Sequence, residues 1–334
     1  MPANVGEMFY YGEIPWHGNG TEVEAPLDFA SAVKSAGLDW QVASIDLQTA
    51  EDPPSPAASR QAIVRTDRQP GDVGRVVGVV HPGFRTLQNH DAAMIFDSLF
   101  GHGERVYHTG GYLNDGQVVW LMAKLNRRLS IGTKDDVEPY ALMVNSHDGS
   151  YPFSLSLTTI RVVCQNTINF ALRECDVPKF RRAHKGTPKM HKEAAAAYWN
   201  QVLGELDRLE QEFRQLALRP CSDEQVHRAL ESLFPLPKPL GLDPSLQQQR
   251  AYETRRETVE RSRAMIRTLR ESGVGSDLTT ARGTFWGVLN AITEYVDHHH
   301  DCQGSRLAYS LLGTGSAIKA KAYRVIHEMA NPPA

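Results

Sequence analysis

The chain has 334 residues, 36 Lys+Arg against 39 Asp+Glu, 4 Cys and 41 % hydrophobic residues, which suits two domains, or one large domain with additions, around a core that needs no disulfide staples. Cys164, Cys175, Cys221 and Cys302 form no CxxC pair, which excludes a zinc ribbon. No secretory pattern opens the chain and no run approaches about 18 apolar residues, so a soluble, cytoplasmic protein without a membrane partner is expected.

In chain order, residues 1–25 are rich in Gly, Pro and aromatics and read as an irregular arm. Asp28 is placed to cap a helix through Phe29, Val33 and Ala36, stopped by Gly37. Trp40 to Leu47 alternates as a strand does, and residues 51–59 (EDPPSPAAS) are a loop by composition. Gln61–Thr66 and Arg75–Val80 flank Pro70-Gly71-Asp72 as a hairpin. A helix begins at Asn89 or His90, carries Ala93, Ile95, Phe96, Leu99 and Phe100 on its apolar side, and ends at Gly101. Arg105–Tyr112 and Gln117–Leu125 are joined by Asn114-Asp115-Gly116, the strongest hairpin signal in the chain. Tyr140–Ser146 and Tyr151–Leu157 form a further pair around residues 147–150. Leu157–Leu172 then reads as a helix, with Ile160, Val163, Cys164, Thr167, Ile168 and Ala171 on its buried side.

Residues 173–192 turn to Pro, Lys and Arg. A long helix follows over Ala194–Leu218, then a break at Pro235–Pro239, an Arg-rich helix over Gln247–Leu269, and two shorter helices over Gly283–Val296 and Ser316–Met329. Successive hairpins with few crossover helices imply an α+β fold. An antiparallel hairpin-rich sheet is packed by helices and followed by a mainly α-helical C-terminal region. The expected divisions are an arm (1–25), an α+β core (26–192) and a helical region (193–334).

Charge follows the same division. Residues 1–150 hold 11 basic and 19 acidic side chains, a net of −8, whereas residues 151–334 hold 25 and 20, a net of +5. This asymmetry points weakly to an anionic partner for the second half. Its densest part is Arg173–Lys192, where Arg173, Lys179, Arg181, Arg182, Lys185, Lys189 and Lys192 face only Glu174 and Asp176. Phe180 lies inside this run. Basic residues interleaved with an aromatic suit a surface that tracks a phosphate backbone and offers a stacking platform; a solvated linker has the same composition.

Three other strings carry reactive residue types. Asp297-His298-His299-His300-Asp301-Cys302 resembles a metal string, but adjacent His point in different directions on a helix. A solvated helix end is the favoured reading. Glu294 and His298 do have i, i+4 spacing, so Glu294, His298 and Asp301 form the metal set of an alternative reading. Ser146-His147-Asp148-Gly149-Ser150 holds the residue types of a hydrolytic triad. Neighbours in sequence cannot converge as a triad does, so this is a turn, at most a ligand-facing loop through His147, Asp148 and Ser150. Gly313-Thr314-Gly315-Ser316 precedes Lys319 and Lys321 without the full GxxxxGK[ST] pattern. It offers a phosphate contact through Ser316 and Lys319, or simply a Gly-rich turn with a Ser cap.

The string at 146–150, followed by Thr159-Ile160-Arg161-Val162-Val163-Cys164-Gln165-Asn166-Thr167, resembles the phage/plasmid-like proteins carrying domain of unknown function 932. Pro15-Trp16-His17-Gly18, Gly283-Thr284 and the stretch from Asn290 to His298 agree. The resemblance covers nearly the whole chain and implies a phage or mobile-element context inside a bacterial host. The order of elements is also similar to the core of Rad-fifty-two-type single-strand annealing proteins: a helix (Asp91–Phe100), antiparallel strands (Arg105–Leu157), then a helix (Thr158–Leu172). That likeness carries only associational weight.

The first expectation is therefore a non-enzymatic nucleic-acid-binding protein, a single-strand binder or annealer acting as a homo-oligomer. Arg161, Arg173, Lys179, Arg181, Arg182 and Lys185 would hold phosphates and Phe180 would stack. No catalytic group and no cofactor is required. One alternative is a metal-dependent hydrolase through His147, Asp148, Glu294, His298 and Asp301. Another is a phage protein that binds a host protein through its long helices.

Overall fold

The computed structural model describes residues 5–12, 20–100, 103–163, 167–169, 180–182, 188–302 and 306–332. The chain opens with β1 (Val5–Tyr11) and β2 (Thr21–Val23), then α1 (Phe29–Ser35), β3 (Val42–Gln48), β4 (Pro56–Arg65), β5 (Val76–Val80) and α2 (Asn89–Asp97). It continues with β6 (Arg105–Leu113), β7 (Val118–Leu125), β8 (Leu129–Gly132), β9 (Asp135–Ser146), β10 (Phe153–Arg161), β11 (Thr167–Asn169) and β12 (Phe180–Arg182). The helices α3 (Pro188–Leu218), α4 (Asp223–Leu233), α5 (Leu246–Ser272), α6 (Phe285–Glu294) and α7 (Thr314–Ala330) complete it. Two turns of π-helix, Tyr295–His299 and Ala308–Leu312, lie between α6 and α7.

The fold is α+β. A nine-stranded sheet has the order β11-β10-β9-β7-β6-β1-β2, with β12 also on β10 and β8 on β9; β3-β4-β5 form a second, antiparallel sheet. Each hairpin read from turn chemistry forms. Asn114, Asp115 and Gly116 all take positive φ between β6 and β7, the left-handed backbone that this residue order tolerates. Asp28 caps α1, its Oδ1 accepting from the Ser31 amide at 2.8 Å.

One face of the large sheet builds the main core. Phe153, Leu155 and Leu157 from β10 and Val119, Leu121 and Ala123 from β7 pack with Phe96, Trp199, Phe213 and Trp286 from the helices. Met8, Trp120, Met122, Tyr140, Leu142 and Ile160 build a second core on the opposite face, closed by Leu307 and Leu311. The sheet is thus buried on both sides.

That double burial explains two departures from the sequence reading. Residues 5–11 are not an irregular arm: they form a strand between β6 and β2 with Met8, Phe9 and Tyr10 buried. Residues 157–161, read as the start of a helix, are the end of β10. Leu157, Thr159 and Arg161 are buried, and so are Thr158 and Ile160 between them. A strand covered on both faces loses the polar alternation that distinguishes it from a buried helix. The helix that the annealing-protein likeness needs after its strands is therefore absent at 158–161, where β10 runs on and β11 follows.

Candidate functional site

Strand β10 has β9 along one side. Its other side carries two short strands from the chain that follows. β11 pairs with its C-terminal half, Thr158↔Asn169 to Ile160↔Thr167, and β12 with its N-terminal half, Phe153↔Arg182 to Leu155↔Phe180. Both are antiparallel to β10, so they form one interrupted edge strand whose halves lie either side of Ser156 and Leu157. The Phe180–Arg182 part of the basic run is thereby fixed on the rim of the sheet. The run ends on the first turns of α3, where Lys189 and Lys192 are exposed and His191 is buried against Phe153, ring centroids 5.9 Å apart. Arg173, Lys179 and Lys185 lie outside the described residues.

Arg161 does not belong to this surface. It ends β10 on the side that faces the main core and is 1 % exposed. Its Nε and Nη2 donate to the two oxygens of Asp135 at 2.7 and 2.8 Å. Trp286 Nε1 donates to Asp135 Oδ2 at 3.0 Å and Thr280 Oγ1 donates to the same oxygen. Burial alone would raise the Asp135 carboxyl, but the Arg161 bonds and charge, with Thr280 and Trp286, hold it below the ordinary aspartate range. A guanidinium so enclosed cannot reach a phosphate; it joins the sheet to α6.

Ser316 and Lys319 are likewise enclosed. The first turn of α7 packs against Tyr309, so close that a Cβ on Gly315 would lie 2.7 Å from its ring. Lys319 is fully buried and donates to Asp297 Oδ1 at 2.6 Å and to Thr167 Oγ1. Asp297 Oδ2 accepts from the Thr167 amide and hydroxyl at 2.7 and 2.8 Å. Burial pushes the Lys319 ammonium below the usual lysine range, against the pull of Asp297. These three residues tie β11, the first π turn and α7 together and leave no opening for a phosphate.

The 146–150 string is a turn, and its His faces inward. His147 is fully buried, its Nε2 2.8 Å from Asn89 Oδ1, and its ring packs on Trp40 at 5.5 Å. Asp148 Oδ1 accepts from the Ser150 amide and hydroxyl at 2.9 and 2.6 Å. Glu294 is buried, its carboxyl raised by that burial, and accepts from the Val274 amide at 3.3 Å. His298 is half-buried and Asp301 exposed. Among the described residues no group of three His, Cys, Asp or Glu could hold a metal ion, so the hydrolase set His147, Asp148, Glu294, His298 and Asp301 does not assemble. Nor is any helix long and apolar enough to cross a membrane, among the described residues.

The sequence reading missed the partners: Asp135 for Arg161 and Asp297 for Lys319. The available signal was a basic residue inside a β-branched run (Thr159-Ile160-Arg161-Val162-Val163), which a buried strand tolerates only with a carboxylate opposite.

A family model described as "Domain of unknown function (DUF932)" matches residues 76–324. The chain belongs to this family. The DUF932 region begins at β5 and ends inside α7, so it contains β10 with its interrupted edge and both buried ion pairs. No curated protein matches the chain, and no solved structure does. Strands β1 to β4 and helix α1 lie outside the DUF932 match.

Proposed function

We propose that this DUF932 protein belongs to a phage or other mobile element and binds single-stranded nucleic acid without catalytic chemistry, as a strand-holding or annealing protein. The site is the basic segment of Arg173, Lys179, Phe180, Arg181, Arg182 and Lys185, continued by Lys189 and Lys192; of it, Phe180–Arg182 pair with β10 of the large sheet. One observation carries the reading. The middle of that segment is paired to β10, and its end presents two exposed lysines at the start of α3. A basic run held against a rigid sheet can line up with phosphates at lower entropic cost than a free linker. Annealing asks for nothing more than a held backbone and free base edges. The mobile-element context rests on the family resemblance.

The test is fluorescence anisotropy of a labelled single strand against protein concentration at several salt concentrations. Binding in the micromolar range is expected, with log K falling linearly in log[salt] by about 0.7 per phosphate neutralised. The double variant R181A/R182A should weaken binding and flatten that slope, with the melting temperature unchanged. No anisotropy change at low salt, or an R181A/R182A protein that binds like the parent, removes the proposal.

A further inference from the structure

We propose that residues 235–261 form a self-association arm that docks on the acidic edge around β1, β2 and α1 of a second copy of this chain. From Pro235 to Arg261 no residue is buried, and only Pro237, Pro244, Tyr252 and Val259 are even half-buried. The segment is the Pro-rich return from α4 plus the first turns of α5, joined by a Ser245/Gln248 capping box and by Gln249 Nε2 donating to the Pro244 carbonyl at 3.1 Å. Helix α5 first meets the core at Ser262 and Arg263. At about 1.5 Å per residue, Leu246–Arg261 therefore runs about 24 Å clear of it.

Such an element is unusual on two counts. Leu236, Leu240, Leu242 and Leu246 are all exposed, Leu242 completely and Leu246 to 73 %. Exposed leucines are ordinary when scattered; four within eleven residues at one tip mark a contact surface. Behind them, Arg256 pairs with Glu253 and Glu260 at 3.6 and 3.5 Å. Arg250, Arg255 and Arg261 are exposed and have no carboxylate partner among the described residues.

The same chain carries the complement. Between residues 5 and 50, Glu7, Glu22, Glu24, Asp28, Asp39 and Asp46 are exposed, with Lys34 the one basic residue among those described. None of these carboxylates has a basic partner among the described residues. Strand β2 ends the large sheet, and its Glu22, with Glu24 just beyond it, opposes addition of a further strand. What this edge fits is a cationic surface docked through side chains. An apolar tip backed by arginines is the composition of a protein–protein contact. The exposed leucines at the tip favour a protein surface over nucleic acid. The contact joins different surfaces of the two copies, so it propagates head to tail.

The test is sedimentation velocity without nucleic acid, over protein concentration and salt, on the parent and two variants: R250E/R255E/R261E in the arm and E22K/E24K/D39K in the edge. All six positions are exposed, and circular dichroism checks that each variant is folded. The parent should self-associate, and raising salt should dissociate it. Each variant alone should associate at least tenfold more weakly. An equimolar mixture of the two should form a one-to-one heterodimer, because the edge variant keeps its arm and the arm variant keeps its edge. L242D/L246D should lose association with its charges intact. A parent that stays monomeric at low salt overturns the proposal, as do arm variants that associate normally. The readout needs no oligonucleotide, so it stands or falls apart from the nucleic-acid proposal.

Discussion

At the scale of single residues, the strongest consequences come from charges that left water. Arg161 and Asp135 satisfy each other in the core, and removing one partner strands the other. Asp135→Ala should therefore lower unfolding free energy by about 3–5 kcal/mol, read by chemical denaturation, whereas Asp136→Ala beside it, at a half-buried position, should change it little. His108 gives a pH signature. It is 7 % exposed, its Nδ1 donates to the Tyr11 carbonyl at 2.9 Å, and burial lowers its pKa to about 4. The unfolded chain takes up that proton near pH 6.5, the ordinary histidine value, while the folded chain does not. Stability from this residue is thus fully present above pH 6.5 and lost as pH falls toward 4, by about 3 kcal/mol in all. His108→Phe should flatten the melting temperature between those pH values; an unchanged profile would show that another group sets it.

At the scale of elements, close approaches decide what the hairpins can tolerate. Gly78 in β5 lies against the 146–150 turn, and a Cβ there would fall 2.4 Å from the His147 carbonyl oxygen. Gly78→Ala should cost more than about 1 kcal/mol, because backbone must move on both sides, and a thermal melt measures it. The turns themselves were legible: Pro70-Gly71-Asp72, Asn114-Asp115-Gly116 and the 147–150 stretch each state a local backbone geometry, and local geometry needs no distant partner. The fate of Leu157–Arg161 was not legible. Its apolar residues fit helix or strand, and the choice was made by β9, β11 and the two cores that cover β10. The same holds for β1, whose buried Met8, Phe9 and Tyr10 follow from a slot between β6 and β2.

At the scale of the whole molecule, the split of charge between the halves becomes spatial. Glu7 and Glu22 lie on β1 and β2 at one end of the large sheet, and Phe180–Arg182 of the basic segment pair with β10 at its other end, since β2 and β10–β12 lie at opposite ends of the strand order. The exposed Pro235–Ser245 return should be the first site cut by chymotrypsin in limited digestion, at Leu240 or Leu242. Protection should rise with protein concentration where arms engage a second copy, read as the cleavage rate on a gel.

The residue order alone determined the hairpins, the Asp28 cap, the long helices, the α+β class and the family, because these rest on contacts or patterns within a few residues of each other. Only the tertiary structure decided which charges face solvent. Arg161, Lys319 and Ser316 read as phosphate contacts in a string of letters; all three are buried, Arg161 against Asp135 and Lys319 against Asp297. A buried charge is settled by its partner across space, 26 residues away for Arg161 and 22 for Lys319, and no local pattern carries that information.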